Sequence, residues 1–288
     1  LLSVLSNQDS QDGEFDRKIF AQIWDAVSNM NLYVQYGFKR EHRSKIFGEH
    51  WSHFIPKDYD SLKRLFKDGA FDEAGNTNKA VVLGAILDNV QDYLPKKEGV
   101  VNLDDRPNPL QSVIQFPAFL LHVLKLFTIK EKSNAQDYKN IPVPLDDKQL
   151  INAFDACFFQ SNIDQKERAT RIKAFAYFLL KVKFLFDHYV IKREYRDSEE
   201  RWSLQALYYS DNNQQQYYRQ TFQEGENPSI NKQLLMLQSA FHVSMTTQNY
   251  KYWLLGTLNI LVGASQCADR SSLIDGEVYL SALEDLAE

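Results

Sequence analysis

The chain repeats large apolar side chains at steps of three and four residues, a spacing that places them on one face of an α-helix. The first such stripe covers roughly 14–34 and includes Phe15, Ile19 and Ile23. The longest covers about 165–195, and at a rise of about 1.5 Å per residue it predicts a helix on the order of 45 Å long. We expect this long helix to form the spine of the domain.

Further segments refine this helical pattern. Residues 116–127 (FPAFLLHVLKLF) are almost all apolar. Because Pro117 is tolerated in a first helical turn, this segment predicts a helix that is buried nearly all round. Asp146 is suited to capping the helix that follows it. The segment 202–209 fits both a helical and a strand pattern, and 211–220 (DNNQQQYYRQ) is predicted to be a polar surface turn.

The predicted fold class is all-α, a bundle-like array of helices around a long central helix, with at most a minor β element. Composition agrees, because 19 Phe and 15 Tyr accompany only 11 Gly and 8 Pro, and few helix breakers favour packed helices. The loop-forming segment 95–109 (PKKEGVVNLDDRPNP) is the best internal boundary. It predicts an N-terminal helical subdomain at 1–100, with a helix at 71–94, and a larger helical subdomain at 101–288. One continuous helical domain is the open alternative.

Cysteine content and hydropathy bear on location. Cys157 and Cys267 lie far apart with no CxxC pair, which predicts a reducing, cytoplasmic environment. No apolar run reaches the roughly 18–20 residues that a bilayer span needs, so no membrane partner is expected. The sequence opens on LLSVL without an initiating Met, and we expect it to be a segment of a longer protein.

Charge is distributed unevenly along the chain. The formal net charge of −5 argues against a protein covered in positive potential. Between residues 163 and 196, however, nine Lys and Arg accompany four acids, and 38–47 (FKREHRSKIF) crowds four more bases together. Both segments are suited to following a nucleic-acid backbone, although a solvated basic helix face is the plainer interpretation. The predicted nucleic-acid-binding residues are Lys39, Arg40, Arg43, Lys45, Lys181, Lys183, Lys192, Arg193 and Arg196.

Histidines are the first candidates for chemistry. His50 and His53, three residues apart, could hold a metal, but no carboxylate or Cys completes a set at recognisable spacing, so a packing role is predicted. His122 lies in an apolar helix, where a ring hydrogen-bonded to a backbone carbonyl is expected. His188 follows Asp187, but spacing alone identifies no nucleophile for a triad.

Carboxylate pairs and glycine motifs also fail to indicate a reaction. Asp104–Asp105 and Asp146–Asp147 are adjacent pairs of the kind that hold Mg²⁺, but turn and capping roles are predicted for them. The sequence has no GxxxxGK[ST], GxGxxG or GxSxG motif. It therefore identifies no catalytic residue and no metal site, and it predicts no cofactor for this chain.

Five segments occur in one order along the sequence: IWDAVSNMNLYVQYGF, IFGEHWSHF, FPAFLLHVLKLF, PLDDKQLINAF and LLMLQSAFHVS followed by YKYWLL. Together they resemble the middle, helical region of the GmrSD family of modification-dependent restriction proteins, from residue 15 to about 286. For the full-length family protein, the resemblance implies an N-terminal ParB-like nucleotidase domain with a DGQQR motif and a C-terminal HNH-like nuclease half. It also implies NTP and divalent metal use in defence against foreign, modified DNA. Neither motif occurs here, so no catalytic residue carries over.

Two functional hypotheses follow. The first is a non-catalytic helical scaffold that contacts DNA and joins the nucleotidase and nuclease domains of a GmrSD-like restriction protein. The alternative is a helical interaction or oligomerisation module that binds neighbouring domains or a second copy of itself without touching nucleic acid. A helical hydrolase with His122 or His188 in a metal site is the least favoured.

Overall fold

The structure is a computed structural model that describes residues 1–6, 11–67, 110–134, 143–161, 163–196, 199–212, 215–222, 230–244, 251–267 and 274–288. Within these ranges the chain is mainly α-helical, as predicted. The helices are α1 (Leu2–Ser6), α2 (Gln11–Ser28), α3 (Arg40–Phe47), α4 (Tyr59–Lys67), α5 (Phe116–Asn134), α6 (Leu150–Phe158), α7 (Gln165–Tyr189), α8 (Ile230–Ser244), α9 (Tyr252–Cys267) and α10 (Gly276–Ala287). The predicted helix at 71–94, the predicted boundary at 95–109 and the pair Asp104–Asp105 lie outside the described residues.

Five short strands form two small antiparallel sheets in the described residues. Strands β1 (Leu110–Ser112), β2 (Lys192–Arg196) and β3 (Glu199–Ser203) form one sheet in that order, with Glu194 paired to both Leu110 and Arg201. Strands β4 (Gln205–Ser210) and β5 (Gln215–Gln220) form a hairpin. The segment 202–209 therefore lies in strands β3 and β4, with Leu204 between them. The prediction of a surface turn at 211–220 is wrong over its second half, because the Gln and Tyr residues there pair with β4.

Two predicted helices end earlier than their apolar pattern suggested. Helix α2 ends at Ser28 instead of near residue 34, and Asn29 accepts a hydrogen bond from the backbone N–H of Asn31 just beyond it. Such local side-chain bonds compete with helix continuation. Helix α7 ends at Tyr189 instead of near residue 195, because the following residues pair with strands β1 and β3.

Helix α7 is the spine on which the other elements pack. Helices α1, α2, α4, α5, α6 and α9 all contact it, as does strand β4. Every residue from Val182 to Tyr189 is buried, so the C-terminal half of the helix is enclosed on all sides. Helix α5 is similarly enclosed from Ala118 to Leu124, which confirms the prediction for that segment.

One hydrophobic core includes residues from both predicted subdomains. Ile19 and Phe66 from the N-terminal part belong to the same buried cluster as Phe119 and Phe186 from the larger part. The division at about residue 100 falls outside the described residues and stays a prediction. In the part of the chain that the structure describes, no helix combines the length and apolar character needed to cross a membrane.

A buried ion pair lies inside the enclosed half of α7. The ammonium of Lys183 lies 2.7 and 2.6 Å from the two carboxylate oxygens of Asp187, one helical turn away, and both side chains are fully buried. Lys183 also donates to the carbonyl of Leu32 at 2.9 Å, and Asp187 accepts from the backbone N–H of Val34 at 2.7 Å. The pair therefore fixes the segment between α2 and α3 against the spine.

A second buried carboxylate ties three helices together. Asp16 on α2 is 1% exposed and lies 2.7 Å from the ammonium of Lys63 on α4 and 2.5 Å from that of Lys173 on α7. Tyr59 on α4 donates its hydroxyl to the same carboxylate at 3.3 Å. A carboxylate taken out of water needs such partners, because an uncompensated buried charge is strongly destabilising.

Removing one member of the pair Lys183–Asp187 leaves the other charge buried and uncompensated. We therefore expect Lys183→Met and Asp187→Leu each to lower the free energy of unfolding by about 3–5 kcal/mol in urea titrations. The double variant should lose less than the sum of the two single losses, because it leaves no lone charge. Lys18→Met, which removes the exposed partner of Glu14 one helical turn away, is the matched control and should have a small effect. Strictly additive losses would contradict this account of the pair.

Candidate nucleic-acid interface

Helix α3 carries four of the predicted nucleic-acid-binding residues. Lys39 immediately precedes the helix, and Arg40, Arg43 and Lys45 lie within it. Lys39 and Arg40 are exposed, while Arg43 and Lys45 are half-buried. The helix ends at Gly48, whose φ of 78° is a left-handed conformation that glycine adopts without a steric penalty.

The β4–β5 hairpin lies against this helix. Arg40 donates from Nη2 to the hydroxyl of Tyr209 on β4, and its guanidinium carbon lies 5.2 Å from the centre of that ring. Trp51, from the turn after α3, stacks on Tyr209 with ring centroids 4.8 Å apart and an interplanar angle of 19°. The helix, the turn and the hairpin therefore form one continuous surface.

Arg43 is already engaged inside this arrangement. Its guanidinium carbon lies 5.6 Å from the ring centre of Tyr36 and 5.1 Å from that of Trp51, and its Nε donates to the carbonyl of Phe38 at 2.8 Å. Arginine between aromatic faces stabilises the packing of those rings. Arg43 therefore serves the stability of the surface as well as its charge.

The hairpin adds a further cation and an exposed aromatic ring. Arg219 on β5 lies over the ring of Tyr208 at 4.5 Å, and Tyr208 stacks on Tyr217, which is 40% exposed. A cleft of about 360 Å³ opens beside these residues. Three exposed acids border the same region: Glu41, Glu49 and Asp211. We use the name α3–hairpin surface for the set Lys39, Arg40, Lys45, Tyr209, Tyr217 and Arg219.

The other five predicted residues lie on α7 and β2, where most face internal partners. Lys181 is half-buried, and burial together with the neighbouring Lys130 lowers its pKa to about 8. Arg193 pairs with Glu200 at 3.3 Å and lies over the ring of Trp202 at 4.8 Å. Arg196 is on strand β2, with its backbone paired to Glu199, and its side chain lies outside the described part of the chain.

Lys183 and Lys192 are buried and present no ammonium group to a ligand outside the protein. Lys183 is held by Asp187, as described above, and burial lowers its pKa although Asp187 opposes that effect. Lys192 is 3% exposed, donates to the carbonyls of Asp187 and Val190, and lies 4.5 Å from the ring centre of Tyr33. Burial lowers the pKa of Lys192 to about 7. Both lysines therefore stabilise the fold and do not contribute to a binding surface. The sequence shows that they are basic but not that they are buried.

Sequence reasoning missed the hairpin half of the surface. Residues 215–220 were predicted to be part of a turn, yet they supply Tyr217 and Arg219. The available signal was the polar run DNN at 211–213 between two tyrosine-containing segments, which is typical of a hairpin.

The predicted buried role of His122 is confirmed, and His188, for which the sequence indicated no role, is buried as well. His122 is fully buried, with Nδ1 2.7 Å from the carbonyl of Ala118, and burial lowers its pKa. His188 is also buried, with Nδ1 3.2 Å from the carbonyl of Phe184, and burial lowers its pKa to about 3. Both rings are enclosed by protein and are therefore not accessible to a metal ion from solvent. Within the described residues, neither ring belongs to a group of three potential metal ligands.

The predicted cap at Asp146 is confirmed. Its side chain accepts a hydrogen bond from the backbone N–H of Lys148 at 3.1 Å, at the start of a 3-10 turn (Asp147–Gln149) that leads into α6. A carboxylate occupied in this way satisfies an otherwise unpaired donor of the first turn. Asp146 therefore has the capping role that the sequence indicated, and Asp147 is the first residue of the 3-10 turn.

Comparisons of this chain with protein-family models, with curated proteins and with solved structures found no match.

The buried state of Lys192 predicts a pH dependence of stability. Its pKa is about 7 in the folded protein and near 10.5 when exposed, so above pH 7 the unfolded chain binds more protons than the folded one. Stability should therefore rise as the pH increases from about 7 towards 10, and the cost of burying the charge should be fully present below about 7. We expect Lys192→Met to flatten this rise in urea midpoints, while Lys232→Met, at an exposed position of α8, should leave it unchanged. Equal slopes in wild type and Lys192→Met would refute the assignment.

Proposed function

We propose that this chain is a non-catalytic helical scaffold that contacts DNA through the α3–hairpin surface. The observation that carries the proposal is the contact of Arg40, on the basic helix α3 with Lys39 and Lys45, with Tyr209 on the hairpin that also carries Tyr217 and Arg219. Lys and Arg neutralise phosphates, and exposed aromatic rings stack on bases. This combination supports nucleic-acid binding better than basic charge alone.

The biological setting of the proposal comes from sequence resemblance alone. We propose that the chain is the middle region of a GmrSD-like restriction protein acting against foreign, modified DNA in the cytoplasm. The nucleotidase and nuclease steps, with their NTP and divalent metal, would belong to other domains of that protein. The scaffold's contribution would be to hold those domains and the DNA in a fixed relation, which a rigid spine such as α7 favours.

The rest of the surface suits a moderate, salt-sensitive contact. The bordering acids Glu41, Glu49 and Asp211 oppose the field of the bases, and the net charge of the chain is −5. Each phosphate contact releases a counterion from the DNA, and this release contributes less free energy as the salt concentration rises. The affinity of such a contact therefore falls with increasing salt. The proposed contact is therefore local to α3 and the hairpin.

The test is fluorescence anisotropy of labelled duplex and single-stranded DNA at low and moderate salt. We expect Lys39→Glu/Lys45→Glu to weaken binding at least about tenfold at low salt and to reduce the salt slope by about 2, since two phosphate contacts are lost. The matched control is Lys148→Glu/Lys232→Glu, which reverses two exposed lysines on other elements and makes the same change in net charge.

Two results would count against DNA contact by this surface. One is binding that is absent at both salt concentrations, and the other is equal weakening by the α3 variant and the control. The interaction-module alternative is tested by light scattering on the same samples. Exposed apolar side chains on separate helices, such as Ile151, Met236 and Val278, are its structural support, and a strictly monomeric chain would argue against self-association.

A further inference from the structure

A second group of side chains converges at the edge of the α3–hairpin surface. Glu49 and His50 lie in the turn after α3, and Asp211 lies in the turn after β4, about 160 residues later in the sequence. One potential ligand atom from each residue lies within 4.8 Å of those from the other two. Among the described residues, these are the three potential metal ligands (His, Cys, Asp or Glu) that the fold brings this close together.

The position of His50 is fixed by the hairpin. The backbone carbonyl of His50 accepts from the N–H of Tyr209 at 3.1 Å, and its ring Nδ1 lies 3.2 Å from the carbonyl of Tyr209. A proton on Nδ1 donates to that carbonyl and leaves the lone pair on Nε2. A backbone carbonyl that accepts from one ring nitrogen while the other is left to bind is the usual setting of a metal-binding histidine.

The turn that carries Glu49 and His50 is held in an uncommon conformation. Trp51 has a φ of 57°, a left-handed backbone that a bulky residue rarely adopts. The stacking of Trp51 on Tyr209 holds it there. The side chain of His50 is therefore placed beside the hairpin turn by packing, with little freedom to move away.

Two observations indicate that the group can take a ligand. Glu49 and Asp211 are exposed and have no hydrogen-bond or ion-pair partner among the described residues, so both carboxylates are accessible to an ion from solvent. Tyr208, which lines the same cleft as His50 and Asp211, is 3% exposed, and its buried hydroxyl also has no hydrogen-bond partner among the described residues. A buried hydroxyl without a partner is costly, and a water held at the site would satisfy it.

We propose that Glu49, His50 and Asp211 bind a divalent transition-metal ion, Zn²⁺ or Mn²⁺. One imidazole and two carboxylates suit these ions, whereas Mg²⁺ prefers oxygen ligands alone. Ligand atoms around a tetrahedral ion are separated by roughly 3.4 Å, given bonds of about 2.0–2.2 Å. The ligand atoms of the three residues lie within 4.8 Å of one another. Because Glu49 and Asp211 are exposed, rotation of their side chains can shorten these separations to the distance that the ion requires. The remaining coordination positions take water, and the hydroxyl of Tyr208 lies in the same cleft.

The experiment is isothermal titration calorimetry of the metal-free chain with Zn²⁺, Mn²⁺ and Mg²⁺, with no DNA present. Its outcome is therefore independent of the proposed DNA contact. We expect the wild-type chain to bind one transition-metal ion. His50→Asn and Asp211→Asn should each bind the ion at least about tenfold more weakly, because each removes one ligand. Asparagine at position 50 retains a donor near the place of Nδ1 for the Tyr209 carbonyl and removes Nε2.

The matched control is His53→Asn, which changes the neighbouring histidine in the same way. Nδ1 of His53 lies 2.6 Å from the hydroxyl of Ser52, a contact that asparagine can also make. This variant should bind the ion like wild type. Circular dichroism confirms that each variant folds, and Asp211→Asn, in an exposed turn, decides the matter if His50→Asn does not fold. Absence of Zn²⁺ and Mn²⁺ binding, preference for Mg²⁺, or undiminished affinity in Asp211→Asn overturns the proposal.

Discussion

The pair Lys183–Asp187 is the interaction on which the centre of this structure depends. Both side chains are fully buried in a helix whose last eight residues are enclosed on every side, so each charge is tolerated only because the other is present. The same two side chains bind the backbone at Leu32 and Val34. Burying a charge thereby fixes the chain between α2 and α3, and with it the starting position of the α3–hairpin surface.

The spine uses the same principle along its whole length. Arg171 pairs with Glu131 at 2.6 Å and donates to the carbonyl of Cys157 at 2.7 Å, which ties α7 to α5 and α6. Lys173 pairs with Asp16 of α2. Apolar side chains interdigitate between α7 and its neighbours, and the buried charges add partners that must also be brought together. Arg171 and Lys173 are therefore positioning groups that pair with acids on neighbouring helices, whereas Lys183 pairs with Asp187 on α7 itself.

The α3–hairpin surface follows from this framework. Trp51 stacks on Tyr209 and so connects the turn after α3 to the hairpin, and Arg40 and Arg219 lie over the rings of Tyr209 and Tyr208. The proposed DNA contact and the proposed metal site share this platform but depend on different atoms. A metal ion bound by Glu49 and Asp211 would neutralise the two carboxylates that border the basic surface. Metal binding would therefore make the electrostatic potential at the proposed DNA contact more positive.

By itself, the sequence determined the helical character of the chain, the enclosed helix at 116–127, the cap at Asp146 and the buried role of His122. These features follow from local spacing, apolar content and short-range hydrogen bonding, which a linear pattern records. The end of α7 at Tyr189, the hairpin at 205–220 and the burial of Lys183 and Lys192 depended on the tertiary structure. Strand pairing needs partners that are distant in sequence. Lys183 has its charge partner one helical turn away, but the burial of Lys183 and Lys192 depends on distant residues such as Leu32 and Tyr33, and a local pattern does not specify them. For the same reason, sequence spacing paired His50 with His53, whereas the fold placed His50 beside Asp211.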